Sequence, residues 1–200
     1  MIPSSYSFVF VHRSHGCDGV LRVDLYRFTS IKSGLDYIVR VEEYPNNMYA
    51  VKFYLKNHSH SDKKYQLLTN TFEARTIINT CINIMLSVYE KNDKASFGFI
   101  GSNSDGEPVA NTKRYRVYSK IIATYFSDKL FMHIENIDKS VYMLINRKQL
   151  ELNPNLIDDI EESFMQMYDY FDCVADMTVY VESATLVFAG EYSERGECGW

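Results

Sequence analysis

An α+β domain, with an antiparallel or mixed sheet of about six to eight strands and three packed helices, is the fold class this chain predicts, on three observations. Its first 55 residues carry four segments rich in Val, Tyr and Phe with period-2 stretches. Past residue 70 the apolar period changes to that of a helix. Beyond residue 94 short apolar runs alternate with two further helical stripes. At 200 residues and 46% hydrophobic the chain can bury one good-sized core, which excludes a disordered polymer.

The strand segments are YSFVFV (6–11), VLRVDLYRF (20–28), DYIVRVEEY (36–44) and MYAVKFYLK (48–56). Pro45-Asn46-Asn47 is a good turn between the last two, so the four read as an antiparallel meander. Arg22, Asp24 and Arg27 in near alternation with apolar neighbours leave one sheet face wet. NHSHSDKKYQ (57–66) is a polar loop. From about Asn70 or Thr71 to Lys91, the residues Ile78, Cys81, Ile82, Met85, Leu86 and Tyr89 form one helical stripe.

A short strand ASFGFIG (95–101) and a polar loop follow, then a helix from about Thr112 to Phe126 with Tyr115, Tyr118, Ile121, Ile122, Tyr125 and Phe126 inward. LFMHIENI (130–137) and SVYMLINRK (140–148) read as strands. A third helix starts at Asn153-Pro154, a cap residue followed by proline at the first helical position, with the stripe Ile157, Ile160, Phe164, Met167 or Tyr168, and Phe171. MTVYVESATLVFAG (177–190) is a last strand.

The net charge of −5 is unevenly distributed. Residues 151–200 hold 12 of the 26 acidic residues and one of the 21 basic ones, a net of −11, which leaves residues 1–150 at +6. The chain is therefore read as one domain, a basic sheet-and-helix core (1–150) with an acidic helix–strand extension (151–200). The first 16 residues lack the basic start and apolar core of a signal peptide, and no apolar run approaches a membrane span. A cytoplasmic protein is the expectation.

The run from MYAVKF through TNTFEARTIINTCINIMLSVYE, SFGFIGSN, TKRYRVYSKI and VYMLINRK resembles a family of small, uncharacterised proteins found mostly in Bacteroidetes, over about residues 45–148. The shared features are a strand ending in Phe, a helix rich in Ile, Val and Thr, a strand closing with Gly-Ser, a Thr-x-Arg-x-x-Tyr-like helix start and a terminal strand ending in Arg-Lys. Between Gly101-Ser102 and Thr112 this chain carries a longer loop than that pattern. The resemblance implies a fold and a focal loop, and brings no catalytic residue.

That loop runs into cations. Lys113, Arg116 and Lys120, spaced i, i+3, i+7, share a helix face with Arg114 beside them. A helix start offers free N–H groups, and Ser102, Asn103 and Thr112 add small polar groups, so an anion or phosphate site is one reading. An internal salt-bridge role and plain solvated charge are the others. No G-x-x-x-x-G-K-[ST] or G-x-G-x-x-G occurs, which argues against a nucleotide triphosphatase.

His12, His15 and Cys17 lie close together, and His58 and His60 form an H-x-H pair, yet no second C-x-x-C or H-x₃₋₅-H completes a zinc site. No metal or other cofactor is expected. Without a G-x-S-x-G elbow or a nucleophilic cysteine context, an enzyme is not the expectation.

The expected function is a non-enzymatic binding or regulatory protein of bacteria or their phages, in host defence or counter-defence. It would act through a protein partner met by Asp158, Asp159, Glu161 and Glu162. The alternative is a phosphate or nucleic-acid binding module using the 101–120 loop and helix start. No membrane role is expected.

Overall fold

The computed structural model of the chain describes residues 2, 4–67, 71–104 and 106–160. Strands β1 (Phe8–His15), β2 (Arg22–Thr29), β3 (Asp36–Tyr44) and β4 (Met48–Leu55) pair antiparallel in chain order, the meander the sequence predicts. β3 keeps its sequence-derived bounds. At the turn between β3 and β4, Asn46 and Asn47 take φ of 60° and 53°, the left-handed region asparagine tolerates.

Helix α1 (Ala74–Lys91) crosses over to β5 (Ser96–Ile100), which lies parallel to β4. Helix α2 (Lys113–Tyr125) leads to β6 (Phe131–Asn136) and β7 (Val141–Asn146), and β7 inserts between β5 and β6. The result is one mixed seven-stranded sheet in the order β1-β2-β3-β4-β5-β7-β6, an α+β fold.

Both helices pack on one face of the sheet. Ile78, Cys81, Ile82 and Met85 of α1 are buried there, with Tyr115 and Ile122 of α2, against Tyr37, Val39, Phe97 and Leu144 of the strands. The α1 positions are those of the predicted stripe, and Ile77, Ile84 and Val88 join them because the helix is covered on more than one side. Its buried polar residues serve the amino-terminal segment. Thr80 Oγ1 accepts from the Tyr6 N–H at 2.9 Å, and Asn83 Oδ1 accepts from the Ile2 N–H at 2.8 Å.

The second face carries a smaller core. Tyr44, Met48 and Ala50 meet Val141, Met143 and Ile145, and Leu156 and Ile160 close over them. All six residues of β7 are buried because both its faces are covered, which explains its unbroken apolar run.

Several expected boundaries move, α1 starting at Ala74 rather than at residue 70 or 71 and β2 running Arg22–Thr29 rather than 20–28. β1 starts at Phe8 rather than at residue 6, and a register shift between Phe10 and His12 lets it continue through His12–His15. The strand expected to reach residue 148 ends at Asn146, whose side chain accepts from the Lys148 N–H at 3.0 Å and caps a short helix, α3 (Arg147–Leu152). Asn153 accepts from the Asn155 N–H, and helical backbone resumes at residue 156, slightly later than expected. The buried pair there is Leu156 and Ile160, with Ile157 half-buried. The strand expected at 177–190 lies outside the described residues.

Gly101 sits where β5 ends against α2. A Cβ built on it would stand 2.4 Å from the backbone nitrogen of Tyr115. Because the obstacle is helix backbone, Gly101→Ala is expected to destabilise the fold by about 1–3 kcal/mol or more, read as a lower urea midpoint with an unchanged m-value.

Candidate functional site

The start of α2 is built by the loop before it. Thr112 is fully buried and is the N-cap, its Oγ1 accepting from the Tyr115 N–H at 3.1 Å. The same hydroxyl donates to the Gly101 carbonyl at 2.5 Å, and the Thr112 N–H donates to Ser140 Oγ at 3.0 Å. The capping threonine is therefore committed on both sides to the protein itself.

The carboxylate at this helix start is internal. Glu107 Oε1 accepts from the Lys113 N–H at 2.7 Å, and Oε2 accepts from the Ser104 N–H at 3.0 Å. These backbone hydrogen bonds, ahead of the nearby Lys113 and Arg114 charges, hold the Glu107 carboxyl below its usual range. Asn103 Nδ2 donates to the Glu107 carbonyl at 3.1 Å, which tightens the loop around it.

Arg114 faces inward. Its guanidinium donates to the carbonyls of Ser102 at 2.9 Å and Gln66 at 2.5 Å, stitching this loop to the one before α1. Of the predicted anion-site residues, Ser102, Asn103, Thr112 and Arg114 thus come together, and hydrogen bonds among the loops occupy them.

Lys113, Arg116 and Lys120 differ. All three are exposed on the outer side of α2, and none forms an ion pair with a described carboxylate. Arg116 donates to the Asn111 carbonyl. Helix α2 carries four cations and no acid in 13 residues. An open cleft of about 520 Å³ lies beside it, lined by Ser104, Glu107, Asn111, Lys113 and Arg116 among others.

Two polar clusters were not foreseen. Glu73, the N-cap residue of α1, is 5% exposed and accepts from Tyr6 OH at 2.5 Å, Ser30 Oγ at 2.6 Å and Ser33 Oγ at 2.8 Å. Burial alone would raise its pKa, but hydrogen bonds from Ser30, Tyr6, Ser33 and Thr71 outweigh it and hold the carboxyl at about 2. The second cluster centres on His133. Its Nε2 lies 3.1 Å from the Phe126 carbonyl and 3.2 Å from Asp128 Oδ1, and its Nδ1 lies 2.6 Å from Tyr142 OH. Two acceptors at Nε2 make it the protonated nitrogen, so in the neutral ring Tyr142 donates to Nδ1.

Neither cluster has the character of a catalytic pair. Ser30 is 0% exposed and Tyr142 2%, and burial raises the Tyr142 phenol to about 12. A carboxylate at about 2 is a poor base at neutral pH.

Asp158 is exposed, while Asp159 Oδ2 accepts from Asn153 Nδ2 at 2.5 Å. Glu161 and Glu162 lie outside the described residues. Among the described residues no three His, Cys, Asp or Glu side chains gather as metal ligands, and no helix is long and apolar enough to cross a membrane. Cys81 is a buried free thiol with its pKa pushed up to about 12 by burial. Comparisons with protein-family models, curated proteins and solved structures find no match to this chain.

Proposed function

We propose that the protein is a non-enzymatic binding module whose α2 face docks onto a polyanion, with a nucleic-acid phosphate backbone as the ligand. One observation carries this reading: Lys113, Arg116 and Lys120 form an exposed cationic face with no described carboxylate paired to it, on a helix without acids. Glu107 accepts from the Lys113 N–H at the helix start, and the side chains of Lys113, Arg116 and Lys120, which carry donors only, take no part in capping it. Backbone phosphates suit side chains in a row along a helix better than they suit an enclosed pocket.

The test is fluorescence anisotropy of a labelled 20-base-pair duplex with the full chain at low salt. Binding at micromolar protein, indifferent to base sequence, is expected. No binding at roughly 100 μM, the weak end of the non-specific range, contradicts it.

Glu107 gives a second test of the same site. Glu107→Gln removes a negative charge beside Lys113 and Arg114 while keeping an acceptor for the helix start. Affinity for the duplex is expected to rise about two- to five-fold, the scale of one exposed charge near a helix end. An unchanged affinity places the duplex elsewhere.

A second reading is a protein partner met by the acidic surface at Asp158, Asp159, Glu161 and Glu162. It is favoured by the exposure of Asp158 and by the net −11 of residues 151–200. Charge reversal of the four acids would then slow capture of the partner and raise its salt sensitivity.

A further inference from the structure

At the end of the sheet where β2 turns into β3 and α1 begins, two large apolar side chains stand in the open. Ile31 is 89% exposed and Phe72 94%. They belong to adjacent loops that are tied together. Lys32 Nζ donates to the Thr71 carbonyl at 3.1 Å and to the Phe72 carbonyl at 3.3 Å, while Glu73 accepts from Ser30 and Ser33, which bracket Ile31 and Lys32. Within the turn the Ser33 N–H donates to Ser30 Oγ at 3.0 Å, and the Gly34 N–H to the Ser30 carbonyl at 2.8 Å.

The two tips are therefore held out by hydrogen bonds. Phe72 takes φ of 54°, left-handed backbone that is unfavourable for a bulky residue and that asparagine or glycine adopts more readily. Strain kept in place by its surroundings, at a ring displayed to solvent, points to a contact made by that ring.

Charge at this end selects the contact. Arg27, Lys32 and Arg75 are exposed around the tips. The carboxylates on the same segments are engaged: Glu73 is buried beneath the hydroxyls it accepts from, and Asp36 accepts from Thr29 Oγ1 at 2.6 Å and lies 3.8 Å from Lys56. Ile31 borders an open cavity of about 210 Å³ with Val9, Arg27 and Thr29, where an anionic group can meet the guanidinium. A second copy meeting this end across a two-fold axis would set the same cations against each other. Projecting apolar tips ringed by cations suit a bilayer surface, whose acyl boundary takes the tips while its headgroups meet the charges.

We infer that this end of the sheet docks on an anionic lipid surface, with Ile31 and Phe72 at the boundary of headgroups and acyl chains and Arg27, Lys32 and Arg75 on the headgroup phosphates. Docking of this kind needs no membrane-spanning helix, and it uses none of the α2 cations.

Cosedimentation with vesicles of phosphatidylcholine containing about one-third phosphatidylglycerol, beside vesicles of phosphatidylcholine alone, tests this. The full chain carries Lys113→Ala, Arg116→Ala and Lys120→Ala throughout, which keeps the α2 face out of the measurement. Binding to the anionic vesicles at about 1 mM lipid or below is expected, with much less to the neutral ones. Adding Ile31→Ser and Phe72→Asn should lower the partition coefficient roughly ten-fold or more, as loss of two apolar anchors implies. The urea midpoint should stay in place, because both side chains are exposed and asparagine accepts the backbone of residue 72. No cosedimentation at about 1 mM anionic lipid overturns the inference. So does equal binding by the chain without the two tips, or a lipid-free dimer that their replacement abolishes, which would make a second copy the occupant.

Discussion

Glu73→Ala is expected to cost about 3 kcal/mol or more of folding stability, the largest effect of any single substitution considered for this protein. The side chain gathers Tyr6 of the amino-terminal segment with Ser30 and Ser33 of the β2–β3 turn at the start of α1. Removing it leaves the buried hydroxyls of Tyr6 and Ser30 and the half-buried one of Ser33 without their acceptor, at about 1–3 kcal/mol for each buried group, less what Ser30 and Tyr6 recover from each other at 3.2 Å. The same carboxylate makes stability pH-dependent. Its folded pKa is depressed to about 2 from 4.5, so its contribution is fully present above 4.5 and is lost as pH falls toward 2. That shift corresponds to on the order of 3 kcal/mol, of which about 2 is lost by pH 3. Urea unfolding at pH 7 and pH 3 measures it. Glu73→Gln should flatten the difference between the two, and a variant that keeps the wild-type pH slope assigns the slope to other carboxylates such as Glu42.

Much of the fold is written locally in the chain. The alternation of DYIVRVEEY specifies β3 because one face of it meets the helices and the other is part-polar. The α1 and α2 stripes appear because each helix buries one side against the sheet. What escapes a local reading is set by distant partners. β5 beside β4 in parallel, and β7 between β5 and β6, are choices of neighbour, and an apolar run does not name its neighbour. The short helix after β7 is hidden because its cap, Asn146, stands at the end of an apolar run that is itself buried on both faces.

The candidate site was legible in part. Four cations at a helix start are plain in TKRYRVYSK, and so is the capping threonine. Glu107 was not, because it stands six residues before Lys113, outside the capping-box spacing, and reaches the helix only through the turn the loop makes. Its presence separates the cations into two kinds. Arg114 is a structural clamp, and Lys113, Arg116 and Lys120 remain on the surface. The Glu73 cluster drew on residues 6, 30, 33 and 73, whose only common feature in the sequence is polarity.

Replacing Lys113, Arg116 and Lys120 together by alanine is expected to abolish most duplex binding while leaving the fold intact. The three are exposed and alanine favours helix, so stability should change little. If each cation displaces one condensed counterion, three contacts give a slope of log affinity against log salt near −2.7, or about a 40-fold loss between 50 and 200 mM. The triple variant should lose that dependence and bind all sequences equally weakly. Arg114→Ala, by contrast, should loosen the 101–112 loop and lower stability, because its guanidinium holds Ser102 and Gln66.

The salt dependence of duplex binding by the wild-type chain tests the central claim most directly, since it counts phosphate contacts without requiring a variant to fold. A linear plot with a slope between roughly −2 and −3 is the result the α2 face predicts. A slope near zero, or binding that does not weaken between 50 and 200 mM salt, contradicts a phosphate-docking face and leaves the acidic surface and its protein partner as the functional reading.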